Sequence, residues 1–130
     1  MKRPERDEDY LADACRAARF AWRFAEEHTL QSFCEDPKTR ASVERMLAIV
    51  GEALGRTSEG FRARHPEIPW QALIRLRHKL SHEYGSPVAE RAWDEVRNQL
   101  PRLQPVLEAP LPRDLRETLD EEPGYRPGAD

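Results

Sequence analysis

Between about Asp9 and Glu27, apolar residues recur at the spacing of one helical face: Leu11, Ala14, Cys15, Ala18, Ala21, Trp22 and Ala25. That period constrains the fold more than any other feature, because a strand would alternate every second residue instead. Phe20 and Phe24 widen the apolar face, and its alanines let another helix approach closely. Asp36-Pro37 is an N-cap followed by proline at the first helical position, which predicts a second helix from Pro37 to about Thr57. Its stripe is Val43, Met46, Leu47, Val50 and Leu54. Gly51 interrupts it, at a cost to helix stability that close packing against a neighbour would justify. A third helix is predicted from Trp70 to about Tyr84 along Leu73, Leu76 and Leu80. Gly85-Ser86-Pro87 then stops one helix and starts the next. The fourth helix, from Pro87 to about Leu107, carries Val88, Ala92, Val96, Leu100, Leu103 and Leu107, and Pro101 and Pro105 should bend or fray it. His28 to Glu35 is a connector or single helical turn, and Ser58 to Pro69 is a linker with a short turn around Phe61. No convincing strand is present. The expected fold is all-α, a four- to five-helix up-and-down bundle.

At 130 residues the chain fits one domain and can bury a core without disulfides or a metal. Cys15 falls on the apolar stripe of the first helix, and with Cys34 it defines neither a disulfide framework nor a zinc motif. Residues 1–109 are expected to form the helical domain. Residues 110–130 are expected to be an acidic, proline-rich tail, largely disordered, with a helical turn near Leu115 to Leu119. Met1 to Asp9 is charged, and no apolar run approaches a membrane span, so a cytoplasmic protein is expected. The formal net charge of −3 argues against nonspecific coating of nucleic acid. That charge resides in the tail, which holds three arginines against six acids. The stretch from Arg56 to His82 is locally basic, with Arg56, Arg62, Arg64, Arg75, Arg77 and Lys79 facing Glu59 and Glu67.

The segment Arg77-His78-Lys79-Leu80-Ser81-His82-Glu83-Tyr84 is the candidate working site. At about 100° per residue on a continuous helix, Leu73, Leu76 and Leu80 share one face while His78 and His82 project from another. An arginine can grip a phosphate in two places and stabilise charge developing on it. A histidine can move a proton near neutral pH. RNA brings its own nucleophile, the 2′-hydroxyl, so cleavage by such a pair requires no metal. His78 and His82 also have the spacing of two zinc ligands, but nothing else in the sequence supplies a convincing third. No cofactor is expected.

Arg77-x4-His82-x-Tyr84 resembles the Arg-x4-His-x-Tyr motif of the HepT-like toxins, a branch of the HEPN superfamily. The surroundings are similar as well. Ile49-Val50-Gly51-Glu52-Ala53-Leu54 resembles the family's Gly-Glu-Ala stretch, and Pro66-Glu67-Ile68-Pro69-Trp70 resembles its Pro-x-Ile-Pro-Trp signature. The likeness covers about residues 8 to 108. It implies a HEPN-like homodimer whose two motifs meet at a cleft, acting as a toxin endoribonuclease on cellular RNA, mRNA or tRNA. Arg77 would bind and polarise the scissile phosphate, and His82 would be general acid or base. His78 would orient the phosphate or its neighbours, and Glu52 would be a supporting acid that positions Arg77. Tyr84 matches the tyrosine to which a partner, a MntA-like minimal nucleotidyltransferase antitoxin, adds AMP. The added bulk and negative charge would repel RNA. The alternative reading is a non-catalytic HEPN module that regulates or neutralises an associated nucleotidyltransferase. A third is a plain helical dimerisation domain.

Overall fold

The structure is a computed structural model that describes residues 6–76 and 86–121. Among the described residues it is all-helical, with no strand. The first helix, α1 (Asp7–Ala25), packs along α3 (Pro37–Gly55), and the two form the central pair. Leu11, Ala14, Cys15, Ala18, Ala21 and Ala25 of α1 are buried, as the spacing predicts, against Val43, Leu47, Val50 and Leu54 of α3. Small side chains on α1 let the two backbones approach, and the branched residues of α3 fill the seam.

The connectors are more helical than expected. Thr29 caps α2 (Leu30–Glu35): its hydroxyl accepts from the Ser32 backbone N–H at 3.1 Å, while the Ser32 hydroxyl accepts from Thr29 N–H at 2.9 Å. Ser58 caps α4 (Glu59–Arg64) and is itself held by Asp7 at the start of α1, at 2.7 and 2.8 Å. Phe33 and Phe61 turn these short helices onto the core. α3 begins where Asp36-Pro37 predicted. The Asp36 carboxylate accepts from the backbone N–H groups of Lys38 and Thr39 at 3.1 and 3.2 Å and from the Thr39 hydroxyl at 2.8 Å.

The third helix departs from expectation. It was predicted to run unbroken from Trp70 to about Tyr84, but α5 covers only Trp70–Ile74 and a turn follows at Arg75. The break falls where the Leu73 and Ile74 carbonyls lie against Gly51 of α3. Leu76, helical again, is buried as predicted, and the predicted helix from Arg77 onward lies outside the described residues.

On the far side, α6 (Ser86–Asp94), a π-helical turn (Glu95–Gln99) and α7 (Leu100–Glu108) run as one continuous element. Val88, Ala92, Val96, Leu100 and Leu107 are buried as predicted. In the π turn the Leu100 N–H reaches back to the Glu95 carbonyl, one residue further than in an α-helix. The wider turn lies immediately before Pro101, whose ring would crowd the carbonyl four residues earlier in a regular helix.

The stretch after Glu108 is more ordered than expected, and the helical turn anticipated near Leu115 to Leu119 is part of a longer helix. Arg113–Asp120 form a helix, α8, that packs on α1, with Leu111 and Leu119 buried. Arg116 fixes the corner by donating to the Glu108 and Ala109 carbonyls at the end of α7, at 2.9 and 3.0 Å. Residues 122–130 lie outside the described residues.

A buried polar cluster joins α1 to both C-terminal helices. Arg19, 3% exposed, donates Nε and Nη2 to the two carboxylate oxygens of Glu108 at 2.9 and 2.6 Å. Its Nη1 lies 3.1 Å from Asp120. Gln104 donates to the Cys15 carbonyl and to Glu108. Burial alone would favour loss of the Arg19 proton, but its bonds to Glu108 and Asp120 outweigh that and hold the guanidinium charged. Burial, helped by Glu108, pushes the Cys15 thiol up, so it acts as a small apolar side chain.

Two predictions follow from these contacts. Glu108→Ala leaves the buried Arg19 charge with only the more exposed Asp120 carboxylate and should cost about 3 kcal/mol in urea unfolding, where a one-sided break of a buried pair is most damaging. Arg113→Ala, which breaks an exposed pair with Glu117, should cost less than about 1 kcal/mol. The second concerns pH. The Thr39 hydroxyl and N–H hold the Asp36 carboxyl below its ordinary value, so its contribution is complete above that value and is lost as pH falls through the depressed one. Asp36→Ala should therefore lower the thermal midpoint at neutral pH, and the gap to the parent should close in acid.

Candidate active site

Four of the predicted site residues, Arg77, His78, His82 and Tyr84, lie outside the described residues. What the structure describes is the frame on both sides of them and the predicted supporting acid, Glu52. The chain enters the motif from α5 and leaves it into α6.

The entry is tightly held. Pro66 to Pro69 turns the chain so that the Ile68 side chain is buried and the Trp70 indole donates to the His65 carbonyl at 2.9 Å. Trp70 packs edge-on against Phe61 of α4, with centroids 6.0 Å apart, and Phe61 also stacks near the His65 ring. The Pro-x-Ile-Pro-Trp sequence is thus a folded latch that sets the first residue of α5. At the other end of α5, the chain lies directly on α3. A Cβ on Gly51 would stand 2.9 Å from the Ile74 carbonyl oxygen, closer than real contacts allow, and 3.1 Å from that of Leu73. Sequence reasoning anticipated close packing at Gly51. The partner it meets, the last turn before Arg77, had no sequence signal.

Glu52 follows Gly51 on α3 and lines an open cleft of about 330 Å³ between α1 and α3. Phe20, Met46 and Ile49 form its apolar wall, and Arg16 and Arg56 stand with Glu52 at its polar edge. Glu52 is partly buried and lies 3.6 Å from Arg45, two turns earlier on the same helix. A second groove, about 430 Å³, runs from Pro69, Leu73 and Leu76 across to Glu95, Gln99 and Arg102. It borders the segment that leads into Arg77.

The locally basic stretch is not uniformly available to a ligand. Arg62 donates from Nη2 to the Gly55 and Thr57 carbonyls at 3.0 and 2.7 Å and from Nε to the Thr57 hydroxyl at 3.0 Å. It therefore satisfies the carbonyls that the end of α3 leaves open, in place of a phosphate. Arg64 lies over the Phe61 ring, 5.8 Å from its centroid, and Arg56, Arg64 and Arg75 are exposed. The two remaining histidines have structural surroundings: His28 shares hydrogen bonds with Ser32 and Thr39, and His65 lies 3.5 Å from Glu67. Among the described residues, no helix is long and apolar enough to cross a membrane.

Comparison with known proteins agrees with this frame. The sequence model of the family described as "Ribonuclease HepT-like" matches residues 14–110. The "Probable ribonuclease HepT" of Thermococcus cleftensis is 36% identical over 104 residues, covering 80% of this chain and 93% of that protein. A candidate RNase of Methanocaldococcus jannaschii, MJ0127, is 38% identical over 78 residues, covering 60% of this chain and 64% of its own. Another, TTE0752 of Caldanaerobacter subterraneus, is 30% identical over 76 residues, covering 58% and 68%. No solved structure gives a significant match.

The role found for Arg62 is testable. Arg62→Ala should destabilise the fold by about 1–2 kcal/mol, since it removes charge-assisted bonds to three acceptors. Arg64→Ala, read by the same urea titration, should change it little.

Proposed function

Because this chain belongs to the HepT-like ribonuclease family of the HEPN superfamily, we propose that it is a metal-independent endoribonuclease, the toxin of a toxin–antitoxin pair. The observation that carries the reading is the motif Arg77-x4-His82-x-Tyr84, complete in a chain that the family matches from residue 14 to 110. Each residue type suits one task in cleaving an RNA phosphodiester. The 2′-hydroxyl oxygen attacks the adjacent phosphorus, the bond to the 5′-oxygen breaks, and a 2′,3′-cyclic phosphate and a 5′-hydroxyl result. Arg77 holds the phosphate and offsets the charge that builds on its oxygens. His82 exchanges the proton, as base toward the 2′-hydroxyl or as acid toward the leaving 5′-oxygen. One histidine cannot do both in a single step. A homodimer with the two motifs facing a shared cleft supplies one for each. His78 orients the phosphate, and Glu52, one residue from the α3–α5 contact, positions Arg77.

Tyr84 is the switch in this reading. A minimal nucleotidyltransferase partner transfers AMP to its hydroxyl, and the new phosphate repels RNA from the site. The substrate is cellular RNA, mRNA or tRNA, and no cofactor takes part.

Purified Arg77→Ala and His82→Ala should each lose at least about 100-fold in RNA cleavage while keeping their helical circular dichroism, a loss typical of removing a general acid or base. Full activity and full growth inhibition in both would refute the assignment. Tyr84→Phe should remain toxic and should gain no AMP mass on co-expression with a partner transferase. A Phe variant that is still silenced would remove Tyr84 from the switch.

A further inference from the structure

We propose that Gly51 is a positioning residue for this reaction: lacking a Cβ, it lets the α3 backbone meet the Leu73 and Ile74 carbonyls, and that contact fixes the end of α5, three residues before Arg77 in sequence. The inference rests on the catalytic assignment of Arg77 and His82 above. Three observations support it. First, the contact is backbone on backbone. A Cβ at residue 51 would stand 2.9 Å from one carbonyl oxygen and 3.1 Å from the other, and no flexible side chain could swing away to relieve it. Second, α5 is already pinned at its start by the Trp70–His65 hydrogen bond and by Phe61. The strain of an added Cβ therefore falls on the other end of α5, at the Leu73 and Ile74 carbonyls. Third, the helix breaks there, at the Arg75 turn, two residues before Arg77. The Ile74 carbonyl that must give way belongs to the residue three places before Arg77 in sequence.

Gly55 provides the control. It lies one turn further along α3, and a Cβ there would make only an ordinary contact with the Ile74 side chain at 3.9 Å. Gly51→Ala and Gly55→Ala thus add the same methyl to the same helix, but only the first meets the α5 carbonyls.

The test uses the full chain, an oligoribonucleotide substrate and the NMR signals of its four histidines, with His78 and His82 assigned by substitution to Gln. Gly51→Ala should lower kcat about 10- to 100-fold, the scale expected for a small misplacement of catalytic groups, and leave KM within about twofold. The His78 and His82 signals should move while that of His28 stays fixed. Gly55→Ala should change neither rate nor spectrum. A Gly51→Ala protein with parental kcat and unmoved His78 and His82 signals would overturn the proposal, as would a Gly55→Ala protein with the same defect. If the parent chain does not cut RNA, the catalytic reading fails, and the histidine shifts still decide the positioning claim. Should Gly51→Ala not fold, Arg75→Gly compared with Arg75→Ala frees the same joint at equal charge. Lower kcat and displaced His78 and His82 signals in the glycine variant alone support the proposal, and identical variants overturn it.

Discussion

The close packing of α1 on α3 is the constraint on which the other helices depend. It is possible because one face of α1 is built largely from alanine, so the two backbones approach without losing contact along the seam. The opposite edges of the pair then receive α5 on α3, and α7 and α8 on α1. The same logic recurs at Gly51, where the side chain is reduced to nothing and α5 lies on bare backbone. The described part of the chain that precedes Arg77 in sequence rests on that contact.

The Arg19 cluster closes the other side. A buried guanidinium is costly to desolvate, and the cost is met here by the two Glu108 oxygens, with Asp120 beside them. Directional bonds of this kind fix register more strictly than apolar packing does. They also tie α8 into the domain. The HepT-like match ends at residue 110, so α8, which spans Arg113–Asp120, packs onto the domain from beyond the matched residues.

Much of this was legible in the sequence because the signals are local. The periodicity of α1, the Asp36-Pro37 cap, the stripe of the fourth helix and the burial of Cys15 all depend on neighbours a few residues away. What was missed depends on distant partners. The turn at Arg75 falls where the preceding carbonyls meet Gly51 of α3, more than 20 residues earlier in the chain, and nothing in Leu73-Ile74-Arg75 announces it. α8 looks disordered by composition, with Pro110 and Pro112 at its entry and charges throughout. Its order comes from Leu119 reaching the core and Asp120 reaching Arg19, about 100 residues away. Arg62 counted toward a basic face by type, but its guanidinium is committed to the end of α3. Arg77, His82 and Tyr84 stand out only through the likeness of their spacing to the HepT-like motif, and they lie outside the described residues.

The central claim is that RNA is cut by its own 2′-hydroxyl under the guidance of Arg77 and His82, and the product ends report on that chemistry directly. Purified protein should be incubated with RNA in the presence of a metal chelator and the fragments resolved by mass. The account predicts cleavage that persists in chelator and leaves a 2′,3′-cyclic phosphate and a 5′-hydroxyl, and no cleavage where the 2′-hydroxyl at the cut site is replaced by hydrogen. Fragments bearing a 5′-phosphate and a 3′-hydroxyl, formed only when a divalent metal is restored, would contradict it.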